Sequence, residues 1–321
     1  MTGLDPNRGI AQNYRDFAQF EAAGRSREYE TLANAVASDD VVLSFLAKLP
    51  VIKQQPNLLF AAARLLLGDV PDLQGVRHLV QQRREELVAV MLTRRTQTNE
   101  VGRCATLLPA IALFPGPVAL IEVGASAGLA LLMDRYSYDY DGHLLKGTGT
   151  NGPLLRCHVE GDVPLPSRLP TIVWRAGLDL NPLDVTDDGD VAWLRCLVWP
   201  DQPEREERLQ AAIETARIEP PEVVRGDLLA DLPALVARAP TDATIVVFHS
   251  AVLGYVEAET RREFANLIRT LGVRWLSNEG AHVLSDVDLP SHVGAPFALI
   301  EDGSQALALT HPHGDWIHWL N

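Results

Sequence analysis

The stretch Val118-Ala-Leu-Ile-Glu-Val-Gly-Ala-Ser-Ala-Gly-Leu-Ala-Leu-Leu-Met133 constrains this chain more than any other. A short apolar run of strand character enters a turn of small residues, and apolar residues at helical spacing follow. Glu122 stands two residues before the first glycine, and Gly124, Ser126 and Gly128 fall at alternate positions. Two chemistries ask for a turn of this kind. A nucleotide-like ligand needs the backbone to approach closely and a helix N-terminus to face it. A serine nucleophile needs G-x-S-x-G between a strand and a helix, and Gly124-Ala-Ser-Ala-Gly128 spells that as well.

The surroundings of the turn set the fold class. From Ile10 to about Leu113 the apolar spacing is helical, as in Tyr14–Ala23, Tyr29–Ala37, Leu58–Leu67 and Val76–Leu92, and no strand is expected there. Beyond Pro115-Gly-Pro117 the period changes. Strand-like runs at Val118–Val123, Thr171–Trp174, Glu222–Arg225, Thr244–Phe248 and Val273–Leu276 alternate with helical segments at Ala127–Tyr136, Val191–Trp199, Glu204–Arg217, Leu229–Arg238 and Glu257–Leu271. Such alternation predicts a doubly wound, mainly parallel α/β sheet. Phe297–Glu301, Gln305–Thr310 and Trp316–Leu320 lack intervening helices and predict a C-terminal antiparallel hairpin at a sheet edge. The expected organisation is a helical, lid-like domain over 1–95 and an α/β domain over 96–321, with a Gly- and Pro-containing excursion at about 137–170.

Composition narrows the partners. A formal net charge of −14 disfavours binding to nucleic acid or to an anionic membrane, both of which recruit basic patches. No apolar run is long enough to span a bilayer, and the first residues show no export signal, so a cytoplasmic protein is expected. Cys104, Cys157 and Cys196 form no C-x-x-C pair. They fit ordinary thiols in a reducing compartment and supply no metal knuckle.

Neither the dinucleotide fingerprint G-x-G-x-x-G nor the phosphate-cradling G-x-x-x-x-G-K-[ST] fits the turn, because Ser126 and Leu129 stand where glycines are needed and no lysine follows. The pattern Glu122, Gly124, Ser126, Gly128 instead resembles the [DE]-x-G-x-G-x-G motif of class I S-adenosylmethionine (SAM) dependent methyltransferases, with serine at the middle glycine. Three further segments resemble that fold in the expected order. Asp179, in Ala176-Gly-Leu-Asp-Leu-Asn-Pro182, resembles the acid that binds the cofactor ribose. Asp227, in Val224-Arg-Gly-Asp-Leu228, resembles the acidic turn beside the adenine. Val246-Val-Phe-His-Ser-Ala-Val-Leu-Gly-Tyr255 resembles the fourth strand and the active-site turn after it.

The chain as a whole, including Thr96-Gln-Thr-Asn-Glu-Val-Gly-Arg-Cys104 and Trp193-Leu-Arg-Cys-Leu-Val-Trp-Pro200, resembles a bacterial family of unknown function grouped with the methyltransferase fold. The resemblance implies the fold but no assigned substrate; the ordered set Glu122, Gly124, Gly128, Asp179, Asp227 and His249 leads to the expectation of SAM as cofactor and a small-molecule acceptor, with no metal. Asp179 lies 51 residues after Gly128, whereas the acid of a dinucleotide fold follows its glycines by about 20. The excursion must therefore loop out, or Asp139 or Asp141 takes the ribose role.

Around this frame stand the candidate side chains. His249 and Ser250 lie at the end of the fourth strand, on the carboxyl edge where doubly wound sheets bind ligands. A histidine there can deprotonate a hydroxyl or carboxyl acceptor, or simply bond a strand-end carbonyl. Tyr255 and Glu279 are further candidates for acceptor binding. Asn99 and Arg103, four apart on one helix face and beside Glu100, can reach the cofactor carboxylate or form a solvated face. Trp193 and Trp199 suit a core, or an acidic acceptor together with Arg175 and Arg195. The serine-esterase alternative pairs Ser126 with Asp286 and His311, but the helical sequence before Val118 lacks the strands and oxyanion loop that it needs. His311-Pro-His-Gly-Asp315 with His318 echoes a metallohydrolase cluster, in a segment that alternates like an edge strand. A non-catalytic binding module of the same fold is the third class.

Overall fold

The computed structural model describes residues 9–284, 287–292 and 294–320. Its helices in chain order are α1 (Ile10–Asp16, continued by a π-turn at Phe17–Ala22), α2 (Arg27–Val36), α3 (Asp40–Leu46), α4 (Pro56–Leu67), α5 (Leu73–Gln82) and α6 (Arg84–Thr93). After these come α7 (Cys104–Ile111), α8 (Asp188–Cys196), α9 (Pro203–Ile218), α10 (Leu232–Val236) and α11 (Ala258–Thr270). The chain forms two compact units, one of Met1–Gln97 with Asp187–Glu206 and one of Thr98–Thr186 with Glu207–Asn321.

The first unit is helical, and its helix starts follow local chemistry. Side-chain oxygens of Ser26, Asp39, Asp72 and Asp187 accept from the backbone N–H three residues on, which supplies partners for donors that a helix start leaves unpaired. Pro56 opens α4, and Gly68, at φ 75°, closes it. The returning segment completes the unit's aromatic core. Trp199 packs with its ring centroid 5.5 Å from Phe17 and 5.8 Å from Tyr29, and both of these meet Phe60. Trp193 donates its indole N–H to the Arg95 carbonyl at 2.9 Å.

The second unit is built on a nine-stranded sheet. Its strands are β1 (Val118–Val123), β5 (His158–Glu160), β6 (Ile172–Asp179), β7 (Val223–Arg225), β8 (Thr244–Ser250), β9 (Arg274–Gly280), β10 (Phe297–Glu301), β11 (Gln305–Thr310) and β12 (Trp316–Trp319). A separate three-stranded sheet holds β2 (Ser137–Tyr140), β3 (His143–Leu145) and β4 (Leu154–Arg156). The large sheet has the order β5-β12-β11-β10-β9-β8-β1-β6-β7. Strands β7, β6, β1, β8 and β9 are parallel neighbours, and their order is the 3-2-1-4-5 of a doubly wound fold. Strands β10, β11 and β12 then add antiparallel to β9 and to one another. The C-terminal element is thus a three-stranded antiparallel extension, one strand more than a hairpin, and β5 from the excursion closes the edge parallel to β12.

Two further expectations change. The excursion at 137–170 carries four short strands, β2–β5, whose runs alternate too briefly to stand out in sequence. The expected helix over Ala127–Tyr136 is a seven-residue 3₁₀ segment, Leu129–Arg135, with a kink at Leu132. The carbonyls a longer helix would use are taken from outside: Tyr136 Oη donates to Leu129, Arg175 to Leu131 and Tyr138 Oη to Met133. The chain can therefore turn at once into β2.

The faces of the sheet follow the two-residue strand period. Ile121, Val123, Ala176, Leu178, Val247 and Trp275 form one apolar layer with Leu232, Leu235 and Val236 of α10 and Phe264 and Ile268 of α11. Glu122, Gly177, Asp179, Phe248, Ser250 and Asn278 alternate with these and lie on the opposite face, where Asn278 Nδ2 is 3.5 Å from Thr106 Oγ1 of α7. Among the described residues no helix is long and apolar enough to cross a membrane.

Candidate functional site

The turn after β1 reverses direction through three left-handed residues, Gly124 at φ 71°, Ser126 at φ 55° and Gly128 at φ 69°. It is stitched to the end of β6. Gly124 N and Ala125 N donate to the Leu178 carbonyl at 2.8 and 3.3 Å, and Leu183 N donates to the Ser126 carbonyl at 3.1 Å. Asp179 completes the stitching, with Oδ2 accepting from Ser126 N and Oδ1 from Asn181 N, both at 2.7 Å. The excursion thus loops out, and it is Asp179 that meets the turn. Asp139 Oδ1 accepts from Gly142 N, and Asp141 Oδ2 accepts from Val159 N and pairs with His158, all inside the excursion.

Two buried oxygens at this turn lack a hydrogen-bond partner: Glu122 Oε2 and Ser126 Oγ, on residues 4% and 1% exposed. Leaving such a group unpaired costs about 1–3 kcal/mol, and a non-glycine residue at positive φ costs about 1–2 kcal/mol more. These costs are concentrated within five residues of one strand end, which makes it the candidate site. Burial pushes the Glu122 carboxyl well above the usual carboxylate range, the nearby Asp179 charge pushes it further, and Arg103 opposes both.

The glycines serve protein packing as well as conformation. A Cβ on Gly124 would lie 2.4 Å from Val252 Cγ2, and one on Gly128 would lie 2.8 Å from Pro221 Cγ. Gly177, opposite Glu122 on β6, leaves room for the Ala125 methyl. At the next strand end, Gly226 N donates to the Asp179 carbonyl at 3.0 Å, while Asp227 Oδ1 accepts from Leu229 N and Ala230 N. Asp179 therefore ends β6, and Asp227 lies two residues beyond the end of its neighbour β7.

Arg103 is 5% exposed and lies over the Phe297 ring, donating from Nε to the Pro312 carbonyl at 2.7 Å and from Nη1 to the Ser250 carbonyl at 3.2 Å. Asn99 is buried just before it, and Glu100 Oε1 accepts from Gly102 N and from Arg208 Nη2. Asn99 lies outside any helix, before the 3₁₀ turn Val101–Arg103, so it shares no helix face with Arg103, and neither side chain is solvated.

His249 and Glu279 lie on the α11 face, across the sheet from Glu122. His249 is fully enclosed, and its Nε2 accepts from the Trp275 indole N–H at 3.0 Å. That fixes the tautomer: Nδ1 carries the proton and donates to Glu279 Oε1 at 2.7 Å. Glu279 Oε1 also accepts from Val252 N and Leu253 N at 2.8 and 3.0 Å. Burial raises the Glu279 pKa, but the bonds from His249, Val252 and Leu253 outweigh it and hold the carboxyl below its ordinary value. The pair anchors the loop after β8, where Ala251 sits at φ 58° and Tyr255 is 50% exposed. Sequence reasoning missed Trp275 and the chain Thr310–Asn278–Ser250, in which Thr310 Oγ1 donates to Asn278 Oδ1 and Asn278 Nδ2 to Ser250 Oγ. The available signal was Ser277-Asn278-Glu279, three polar residues inside a strand-like run.

The other candidates go elsewhere. Trp193 and Trp199 pack in the helical unit, and Arg175 forms a bidentate pair with Asp134. Arg195 pairs with Glu206. His311 pairs with Asp315 at 3.0 Å and His318 with Glu160 at 2.9 Å. Among the described residues no three His, Cys, Asp or Glu side chains are grouped to hold a metal ion. Asp286 lies outside the described residues.

These features define a doubly wound α/β protein with a polar site at the carboxyl edge of its central parallel strands. The chain belongs to the bacterial family described as "Uncharacterized protein conserved in bacteria (DUF2332)", whose model matches residues 11–319. No curated protein and no solved structure matches it.

Proposed function

We propose that this protein binds S-adenosylmethionine at the carboxyl edge of β1 and β6 and transfers its methyl group to a hydroxyl or carboxyl of a small-molecule acceptor. The observation that carries the reading is Asp179, an acid ending the second strand of a 3-2-1-4-5 order, with its carboxylate 2.7 Å from the glycine-turn N–H of Ser126. Each Asp179 oxygen accepts one backbone N–H and keeps a lone pair, so the carboxylate can also accept from a ribose diol. The orphaned Ser126 Oγ and Glu122 Oε2 fit a polar ligand beside the turn. The Gly124 position is filled by Val252, which directs that ligand toward the Asp179 and Asp227 side.

When bound, the cofactor would supply a methyl group already activated on a sulfonium. The chain's own part is then alignment and exclusion of water. The β8–α11 loop, held through Glu279, carries Tyr255 on the accessible side and would position the acceptor. His249 has both ring nitrogens engaged, so its contribution is to hold that loop through Glu279. Titration calorimetry with SAM and S-adenosylhomocysteine tests the reading. Saturable binding is expected, weakened at least tenfold in Asp179→Ala. Absence of heat at millimolar ligand overturns it.

A further inference from the structure

His249 cannot take a proton from an acceptor, because it is enclosed and has both ring nitrogens engaged. His282, after β9, bonds no carboxylate among the described residues. The segment His311-Pro-His-Gly-Asp315 holds no metal cluster, yet it lies at the same edge of the sheet. Strand β10 is antiparallel to both β9 and β11, and Phe297 pairs with Gly280 and with Thr310, so β11 ends level with the carboxyl end of β9. Arg103 draws the next loop inward, donating both to the Pro312 carbonyl and to the Ser250 carbonyl at the end of β8. Gly314, at φ 84°, packs backbone to backbone on Gly102, with no room for a side chain on either.

Within this seated loop His311 and Asp315 form a pair. Asp315 Oδ2 lies 3.0 Å from His311 Nδ1, and a carboxylate at that distance requires a donor, so Nδ1 carries the proton. The His313 N–H also faces Nδ1, but from 3.3 Å, and the shorter contact to a charged group prevails. Nε2 then keeps a bare lone pair. It makes no hydrogen bond among the described residues, on a side chain 22% exposed. Around the pair stand His313, with Nδ1 3.5 Å from Glu100 Oε2, and Arg208 of α9, with Nη2 3.3 Å from Glu100 Oε1. The Trp316 ring packs with its centroid 6.1 Å from that of His311. An imidazole held by a carboxylate on one nitrogen and open on the other has the geometry of a general base.

We propose that His311 is the base that takes the acceptor's proton, that Asp315 orients it, and that the acceptor is therefore a hydroxyl compound rather than a carboxylic acid. A carboxylic acid, with an ordinary pKa of about 4, is already ionised at neutral pH and needs no base. An alcohol or phenol keeps its proton and does. The acceptor O–H bond breaks and its proton bonds to His311 Nε2. The electron pair left on oxygen forms the bond to the methyl carbon as the carbon–sulfur bond breaks, and the thioether leaves neutral. Asp315 offsets the imidazolium charge until the proton passes to solvent. The inference rests on the SAM-binding reading and adds the acceptor class and the base to it.

The test begins with calorimetry of S-adenosylhomocysteine on the full chain. Methyl-labelled SAM is then offered with catechol, benzyl alcohol and glycerol beside benzoate and acetate. Label should enter hydroxyl compounds, and His311→Ala should lower kcat by about 10²–10⁴-fold with KM changed by less than about threefold. A readout independent of turnover is nitrogen NMR of histidine-labelled protein with S-adenosylhomocysteine bound. It should find His311 protonated on Nδ1 and bare on Nε2, and Asp315→Asn should disturb that tautomer. Label in the carboxylates alone, no label in any hydroxyl compound, an unchanged rate in His311→Ala, or a wild-type proton on Nε2 each overturns the inference, while S-adenosylhomocysteine binding keeps the SAM reading. Absence of that binding overturns both. Should His311→Ala not fold, His311→Gln carries the same comparison, and should neither fold, the acceptor panel and the tautomer decide.

Discussion

Ser126 combines two costs that a glycine in its place would avoid, a left-handed backbone at φ 55° and a buried hydroxyl without a partner. Its backbone N–H, by contrast, is well placed on Asp179 and does not depend on the side chain. Ser126→Gly should therefore keep the fold and raise stability by up to about 1 kcal/mol, the relief of strain being partly offset by glycine's greater unfolded-state entropy. Chemical denaturation reads this directly, and a loss of more than about 1 kcal/mol would mean that the hydroxyl has a partner in the folded protein. The same position separates the two chemistries that its motif spells. No histidine bonds Ser126 Oγ among the described residues, and His311, the late histidine of the esterase reading, is paired with Asp315. A serine without a base is a poor nucleophile, so a fluorophosphonate should leave Ser126 unlabelled.

Among the elements, the glycine turn and the β8–α11 loop act as one body. Val252 fills the space over Gly124, and Glu279 fixes Val252 and Leu253 by their backbone N–H groups. Gly124→Ala should destabilise by about 2–3 kcal/mol, through positive φ and overpacking together. Val252→Ala removes the atoms it strikes, so the double variant should recover at least about 1 kcal/mol relative to the sum of the singles. Additive losses in thermal melts would show that the two segments do not touch in solution. The legibility of these elements was uneven for physical reasons. Strand β1, the glycine turn and β10–β12 follow local period and composition and were readable within a few residues of their ends. The 3₁₀ segment after Gly128 was not, because what truncates it comes from Tyr136, Tyr138 and Arg175 rather than from its own residues. His249 shows the same limit. Its place at a strand end was visible, but its tautomer depends on Trp275 and Glu279, 26 and 30 positions away. Asp179 as the acid at the turn was one of two options in sequence, and only the pairing of β6 with β1 selects it.

Across the whole molecule, two buried carboxyls on opposite faces of the sheet give stability opposite dependences on pH. Glu279 is held below its ordinary pKa, so it binds fewer protons folded than unfolded. Its contribution is present above the unfolded value of about 4.3 and is lost as pH falls through the folded value. Glu122 is raised well above its ordinary pKa, so the folded state binds the extra proton, and stability declines as pH climbs from about 4.3 toward the folded value. Glu122→Gln should therefore melt higher than wild type at about pH 8, by about 2–4 °C per kcal/mol, with the difference shrinking toward about pH 4. An unchanged gap across that range would place the proton elsewhere.

The three-residue strand β5 carries a different consequence. It seals the outer edge of β12, and the side chains that meet there, His318 and Glu160, are 158 positions apart. An edge strand left open is a template for another chain. During synthesis, β5 emerges early and must wait for most of the α/β unit before its partner exists, and closure over such a separation is slow. The excursion that disrupts the spacing of the sequence motif is thus also a latch, and the β12 edge stays adhesive until that latch closes.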